Sequence, residues 1–234
     1  MKKRIWELDA FRGVCIIGMV AVHFLYDLSG IPAFSGMHLP RLFHIIQDWG
    51  GILFILLSGI CVTLGSHSGK RGALVLLCGL LVSAVTAGVY FLHLADRSIL
   101  IYFGVLHCLG VCMLLWPLFK KLPRWALPVI GIPMAVAGLI LRNYAPVDFP
   151  WLIPLGIMPA GFVTSDYFPL LPHLGFFLIG AWLGKMFYAE KKTRFPGVSE
   201  TCFPVRFLCA CGRHSLWIYL LHQPILTVLF LIFL

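Results

Sequence analysis

The sequence has few charged residues, and acidic ones are the scarcest. Of its 234 residues only 12% are charged, with nine Asp and Glu against eighteen Lys and Arg. A soluble domain contains about 25% charged residues, so this composition excludes an ordinary soluble protein. The hydrophobic fraction is 60% and the mean hydropathy is +0.95. These values predict an integral membrane protein, with a single domain over residues 1–234.

No predicted outer loop contains a cysteine. Of the eight cysteines, five lie in apolar segments and three in a basic loop, and this distribution argues against a disulfide framework. The spacing of Cys202, Cys209 and Cys211 matches no standard zinc pattern. No metal is therefore expected.

Long apolar segments account for most of the chain. Seven of them approach the length of about 20 residues that a helix needs to cross a bilayer. The predicted fold class is all-α, a polytopic transmembrane helical bundle of about seven to eight spans. The seven segments are residues 10–28, 49–67, 72–93, 99–119, 125–142, 170–188 and 214–234.

The basic residues indicate how the chain is oriented. Fourteen Lys and Arg fall in loops on one predicted side, whereas Arg41, Arg97 and Arg142 fall on the other. Positive charge is retained on the cytoplasmic side, so the N-terminus is predicted to be cytoplasmic and the C-terminus to face out of the cell membrane. The net charge of +9 therefore indicates contact with membrane lipid, and no nucleic-acid partner is expected.

One apolar segment is harder to place. Residues 151–163, WLIPLGIMPAGFV, contain Pro154 and Pro159. A full crossing here would move the basic loop that ends at Arg213 to the outside, against the charge bias. We predict a re-entrant or interfacial segment on the outer side, with an eighth full span as the alternative.

The first apolar segment carries an ionisable stripe. Eleven positions separate Arg12 from His23, which is about three turns plus 20°, so both side chains share one helix face. Asp27 lies one turn beyond His23, and Asp9 lies one turn before Arg12, where the two could pair. Charged groups in a lipid-embedded helix normally face a bundle interior or a wet cavity and indicate a functional site.

Other ionisable residues extend this stripe into a predicted polar shaft. His107 lies midway along the fourth apolar segment and His222 near the middle of the last, while His38 and Asp48 lie in the first outer loop. Alternatives remain open for each of them. A buried histidine can simply bridge two helices by a hydrogen bond, the loop residues can be solvent-exposed, and Arg12 can anchor its helix at the headgroups.

These residue types suit transfer of an acyl group across the bilayer. A histidine with a carboxylate one turn away, as in His23 and Asp27, suits a general base. Arg12 at the cytoplasmic edge, with Arg213 adding positive potential, suits a donor that carries phosphate. Acetyl-CoA is one donor with these properties, because it has an anionic head and a thin pantetheine arm. Other donors that carry phosphate would also fit.

Several motifs carry a family resemblance. ELDAFRG, the ten residues between Arg12 and His23, and the terminal GRHSLWIYLLHQP are similar to the integral-membrane acyltransferase superfamily. FGVLHCLG, DYFPLLPHLGFFLIGAWLGK and LHQP resemble the heparan-alpha-glucosaminide N-acetyltransferase catalytic-domain family and its small bacterial members, so the resemblance covers nearly the whole chain. This chain departs from the lysosomal enzyme, which is longer and has Asn in place of His23 and Gln in place of His107.

The resemblance implies transfer of an acetyl group from cytoplasmic acetyl-CoA to a sugar or glycan on the outer side. In the family the proposed catalytic histidine lies in the first outer loop, ten residues before an Asp, and His38 and Asp48 match this spacing. The alternatives are a transporter or channel that uses the same shaft, and a b-type haem protein; a homo-oligomer is left open. The residues expected at the site are His23 or His38 as base, Asp27 and Asp48 as orienting carboxylates, and Arg12, Arg213, His107 and His222 along the path of acetyl-CoA.

Overall fold

The computed structural model describes residues 4–31, 34, 38–143, 146–198 and 202–233. Every regular element within these ranges is a helix, apart from an isolated bridge between Phe103 and Tyr167. The predicted all-α class is confirmed. The eight α-helices are α1 (Trp6–Ser29), α2 (Arg41–Leu64), α3 (Ser68–Phe91), α4 (Val105–Lys120), α5 (Ala126–Leu141), α6 (Leu170–Phe187), α7 (Phe203–Arg213) and α8 (Ser215–Phe233).

Each of the seven predicted apolar segments coincides with one helix, but among the described residues fewer helices than predicted have the length and composition of a full span. Four helices, α1, α3, α6 and α8, are long and apolar enough to cross a membrane. Helix α2 bends by 41° between Gln47 and Trp49 and would make a fifth span if its two parts are counted together. Helices α4 and α5 have 16 residues each, short of the length that a full crossing needs. The predicted count of seven to eight is not confirmed.

The ambiguous outer segment does not form a helix of spanning length. Its helical part is a short 3-10 helix, Pro150–Leu155, in which Pro154 removes a backbone donor. Gly156 ends it with a φ of 113°, in the left-handed region that glycine adopts readily. The eighth full span is therefore not formed by these residues, and the re-entrant or interfacial placement stays a prediction.

The chain divides into two compact units. The terminal unit comprises Met1–Phe54 and Glu190–Leu234, and the central unit comprises Ile55–Ala189. The predicted single domain over residues 1–234 stays a prediction.

The central unit is held together by close helix contacts at small residues. Helices α5 and α6 approach at Gly131 and Gly175, where a β-carbon on Gly175 would lie 2.5 Å from the Gly131 carbonyl oxygen. Such contacts let helix backbones pack directly, which is how membrane helices associate without a hydrophobic driving force between them. The fully buried side chains include Trp116 and Phe177.

In the terminal unit, α7 packs closely along the first half of α1. A β-carbon on Gly13 would lie 2.0 Å from the carbonyl oxygen of Leu208, and one on Gly212 would lie 1.8 Å from that of Asp9. Helix α8 continues along the second half of α1, where the rings of Phe24 and Phe230 stack at 5.5 Å. The ELDAFRG motif is thus the surface on which α7 docks.

Glu7 attaches the segment before α7 to the same surface. One of its carboxylate oxygens accepts the backbone N–H of Arg194 at 2.8 Å, and the other accepts the hydroxyl of Thr193 at 2.8 Å. The Trp6 ring meets the Phe195 ring edge-on, with centroids 6.4 Å apart. These contacts fix residues 193–195 against the start of α1.

We expect Glu7→Gln to loosen this attachment without unfolding the unit. Hydrogen bonds to a charged acceptor contribute about 1.5–3 kcal/mol, and partial exposure reduces this to about 1–2 kcal/mol. Hydrogen exchange of the backbone amides in residues 193–195 should therefore accelerate roughly tenfold. The matched control is Glu190→Gln, since the Glu190 carboxylate contacts only the exposed Lys192 at 3.0 Å among the hydrogen bonds and ion pairs described. Equal acceleration in both variants would show that Glu7 does not hold the segment.

Candidate active site

Arg12 joins the start of α1 to the end of α7. Its Nη1 donates to Asp9 Oδ1 at 3.1 Å and to the Gly212 carbonyl at 3.3 Å, so the predicted Asp9–Arg12 pair is confirmed. Asp9 is buried and also lies 3.7 Å from Arg4. The carbonyls at the end of a helix carry partial negative charge that favours a cation. Arg213, in the last turn of α7, is exposed.

Further along the same face of α1, His23 contacts His222 on α8. The two imidazole rings meet edge to face, with centroids 4.9 Å apart and an interplanar angle of 61°. His222 is only 8% exposed, whereas His23 is half-buried. Arg12 and His23 thus both contact C-terminal helices, as a shared helix face predicts.

The hydrogen bond of His222 determines which ring nitrogen carries its proton. Nδ1 lies 2.6 Å from the carbonyl oxygen of Tyr219. A carbonyl can only accept, so Nδ1 is the protonated nitrogen and, in the neutral ring, Nε2 carries a lone pair. Within the described part of the chain this Nε2 is buried and has no hydrogen-bond partner. Buried polar atoms without a partner are rare, which marks Nε2 as a candidate for chemistry.

Asp27 lies beside the residue that follows His222. Its carboxylate interacts with the side chain of Gln223, and the Gln223 Oε1 atom is buried without a partner among the described residues. Both side chains line an open groove of about 310 Å³, together with Ile31, Thr227, Phe230 and Leu231. The sequence analysis did not select Gln223, although a polar side chain in the middle of an apolar segment was the available signal.

His107 lies in the central unit, with both ring nitrogens hydrogen-bonded. The backbone N–H of Gly104 donates to Nδ1 at 3.2 Å. The hydroxyl of Ser83 donates to the Ile101 carbonyl at 2.6 Å, so its oxygen accepts from Nε2–H at 3.3 Å. This bridge between α3 and α4 is the alternative role that the sequence left open. In this arrangement neither nitrogen is available to a haem iron, and a role in an acyl tunnel stays a prediction.

The DYFPLLPHLG motif supports the start of α4. Asp166 accepts the backbone N–H of Val105 at 3.0 Å, at the positive end of the helix dipole. Tyr167 donates its hydroxyl to the Ile153 carbonyl at 2.7 Å, and burial raises the pKa of Tyr167 to about 12. The phenol therefore stays neutral at physiological pH and keeps donating. These bonds fix the backbone around Gly104 and with it the ring of His107.

Only one member of the loop pair has a described side chain. His38 is exposed just before α2, and none of the hydrogen bonds of the described residues involves its side chain. Asp48 lies within α2, but its side chain falls outside the described part of the chain. The roles that the resemblance implies for His38 and Asp48 stay predictions.

Residues 4–224 match the family model described as heparan-alpha-glucosaminide N-acetyltransferase, catalytic. The chain belongs to this family. The match begins before Arg12 and ends at Pro224, so it includes His23, His222 and Gln223 as well as both units. No curated protein and no solved structure matches the chain. Membership in the heparan-alpha-glucosaminide N-acetyltransferase family identifies a transferase of the acetyltransferase type, and the apolar helices identify a membrane protein.

Proposed function

We propose that the chain is a membrane-embedded acyltransferase that moves an acetyl group from cytoplasmic acetyl-CoA to a sugar or glycan on the outer side. The observation that carries this proposal is the contact of His23 with His222 beside the Asp27–Gln223 pair, in a chain of an acetyltransferase family. No metal takes part in the proposed reaction.

The proposed chemistry is acyl transfer with a histidine base. His23 removes the proton from an acceptor hydroxyl or amine, which then attacks the thioester carbonyl. The new bond joins carbonyl carbon to acceptor oxygen or nitrogen, the carbon–sulfur bond breaks, and the thiolate of CoA takes a proton. Asp27 lies one turn from His23 on α1 and favours the imidazolium that forms in between.

The donor is proposed to enter from the basic cytoplasmic side. Arg213 is exposed at the end of α7 and its planar guanidinium can bind phosphate in a bidentate way. Arg12 lies near it, held by Asp9 and the Gly212 carbonyl. The proposed orientation, with the N-terminus cytoplasmic and the C-terminus outside, rests on the loop charges.

The test is acetyl transfer across a sealed membrane. Purified protein in liposomes receives acetyl-labelled acetyl-CoA on one side and a panel of monosaccharides and amino sugars enclosed on the other. We expect the label to become covalently attached to an enclosed sugar. A transporter would instead move acetyl-CoA or sugar with no covalent product. The absence of labelled sugar with every acceptor, in protein shown to be folded and inserted in both orientations, would contradict the proposal.

A further inference from the structure

The proposed chemistry gives His222 no step, and two neighbouring observations at the α1–α8 contact concern this residue. The first is the buried Nε2 of His222, which has no hydrogen-bond partner within the described residues. The second is the edge-to-face contact of this ring with that of His23. Both concern the same unit and the same two side chains.

The backbone of α8 fixes the ring of His222. The Nδ1–H donates to the Tyr219 carbonyl at 2.6 Å, one turn earlier on the same helix. A backbone carbonyl in a helix cannot move away independently, so it holds both the ring orientation and the tautomer. His222 therefore presents Nε2 as a hydrogen-bond acceptor in its neutral form.

The separation of the rings suits a hydrogen bond between them. Two imidazoles joined by an N–H···N bond of about 2.9 Å have ring centroids roughly 5 Å apart. The observed separation of His23 and His222 is 4.9 Å. His222 Nε2 has no partner in the present arrangement, so the half-buried His23 ring would have to rotate to direct an N–H at this lone pair.

One carboxylate and one phenol lie beside His222, one from each of the two helices. From α1, the carboxylate of Asp27 interacts electrostatically with His222. From α8 itself, the phenol of Tyr219 lies beside the ring, with centroids 5.6 Å apart. The negative charge of Asp27 would partly offset the positive charge that the pair carries while His23 holds the extra proton.

We propose that His222 is the positioning partner of His23, accepting the N–H of His23 when His23 removes the proton from the acceptor. The inference rests on the proposed function. The proton passes from acceptor oxygen or nitrogen to one ring nitrogen of His23, while the N–H on its other nitrogen bonds His222 Nε2. The same proton later leaves His23 for the CoA thiolate, so His222 ends each cycle unchanged.

The test separates positioning from packing by chemical rescue. We expect His222→Ala to lower kcat about 10²-fold, with less than about threefold change in the KM for the acceptor. Added imidazole should raise the kcat of this variant at least tenfold. The matched control is His173→Ala, because His173 is also a buried histidine whose Nδ1 lies 2.6 Å from a backbone carbonyl, that of Pro169. Its loss should reduce the amount of folded protein, and imidazole should not raise kcat.

A second measurement applies to the unsubstituted His222 and does not require its variant to fold. In nitrogen-15 spectra of histidine-labelled protein, His173 and His222 should both be neutral rings protonated at Nδ1, and the signals of His173 are identified by their loss in His173→Gln. A His222 ring that is protonated only at Nε2 would overturn the inference. So would wild-type kcat in His222→Ala, or a loss of kcat that imidazole leaves unchanged. If the wild-type protein transfers no acetyl group, both the proposed function and this inference fail. If the wild type and His222→Ala are equally active, the proposed function stands and only the role of His222 is excluded.

Discussion

Gly13→Ala is expected to prevent stable packing of α7 against α1. The added methyl group would lie 2.0 Å from the Leu208 carbonyl oxygen and 2.8 Å from its carbonyl carbon, both backbone atoms that cannot rotate away. Overpacking at a close contact costs typically 1–3 kcal/mol and occasionally more, and here relief requires separating two helices. We expect a loss of about 3 kcal/mol or more in the free energy of unfolding. Separation would also break the Arg12 bond to Gly212.

The matched control is Gly88→Ala on α3, where the added methyl group would meet nothing within 4 Å. Glycine lowers helix stability by about 1 kcal/mol relative to alanine, so this variant should be neutral or slightly stabilising. The measurement is the temperature at which detergent-purified protein loses its monodisperse elution. If Gly13→Ala and Gly88→Ala melted together, the close α1–α7 contact would not exist in the folded protein.

The positions of the helices could be predicted because apolar length is a local property of the chain. Seven apolar segments gave seven helices, with boundaries within about four residues of the prediction except at two starts. Helix α2 begins at Arg41, eight residues earlier than predicted, and α4 begins at Val105, six residues later. Helix α7 was missed because it has only 11 residues and lies inside a segment that its basic residues placed in a loop. Short amphipathic helices depend on the surface that they cover, and that surface belongs to α1.

The stripe on α1 could be predicted from helix periodicity, but its partners could not. Arg12 bonds Gly212, and His23 contacts His222, across about 200 positions of sequence. Only tertiary packing decides which residues meet over such a separation. The tautomer of His222 depends in the same way on a carbonyl that the sequence does not identify as its partner.

His107 shows why a residue type at membrane depth is an incomplete guide to function. Its depth gave equal support to a tunnel wall and to a helix bridge. The two possibilities differ only in whether other groups satisfy its nitrogens, and here Gly104 and Ser83 do so. His222 has the same depth signal and the opposite outcome at Nε2, a difference that arises from packing alone.

His23→Ala is expected to abolish acetyl transfer while leaving the fold intact. A positioned general base contributes about 10²–10⁴-fold to the rate, so kcat should fall about 10³-fold with little change in KM. The His23 ring is half-buried and its described contact is with the His222 ring, so truncation should change stability little. The control is His44→Ala, an exposed histidine on α2, which should keep wild-type kcat. Elution profiles and initial rates of labelled-acetyl transfer provide both measurements.

Two further variants decide between the two histidines proposed as base. His23→Asn keeps a polar side chain of similar reach but cannot accept a proton at neutral pH, and Asn is the residue that the lysosomal enzyme has at this position. If His23 is the base, His23→Asn should be as inactive as His23→Ala. His38→Ala should then keep measurable transfer, because the exposed His38 side chain would take no part in the proton transfer. If His38 is the base, His23→Asn should stay active and His38→Ala should lose transfer. Full activity in both His23→Ala and His38→Ala would exclude both histidines that are proposed as the base.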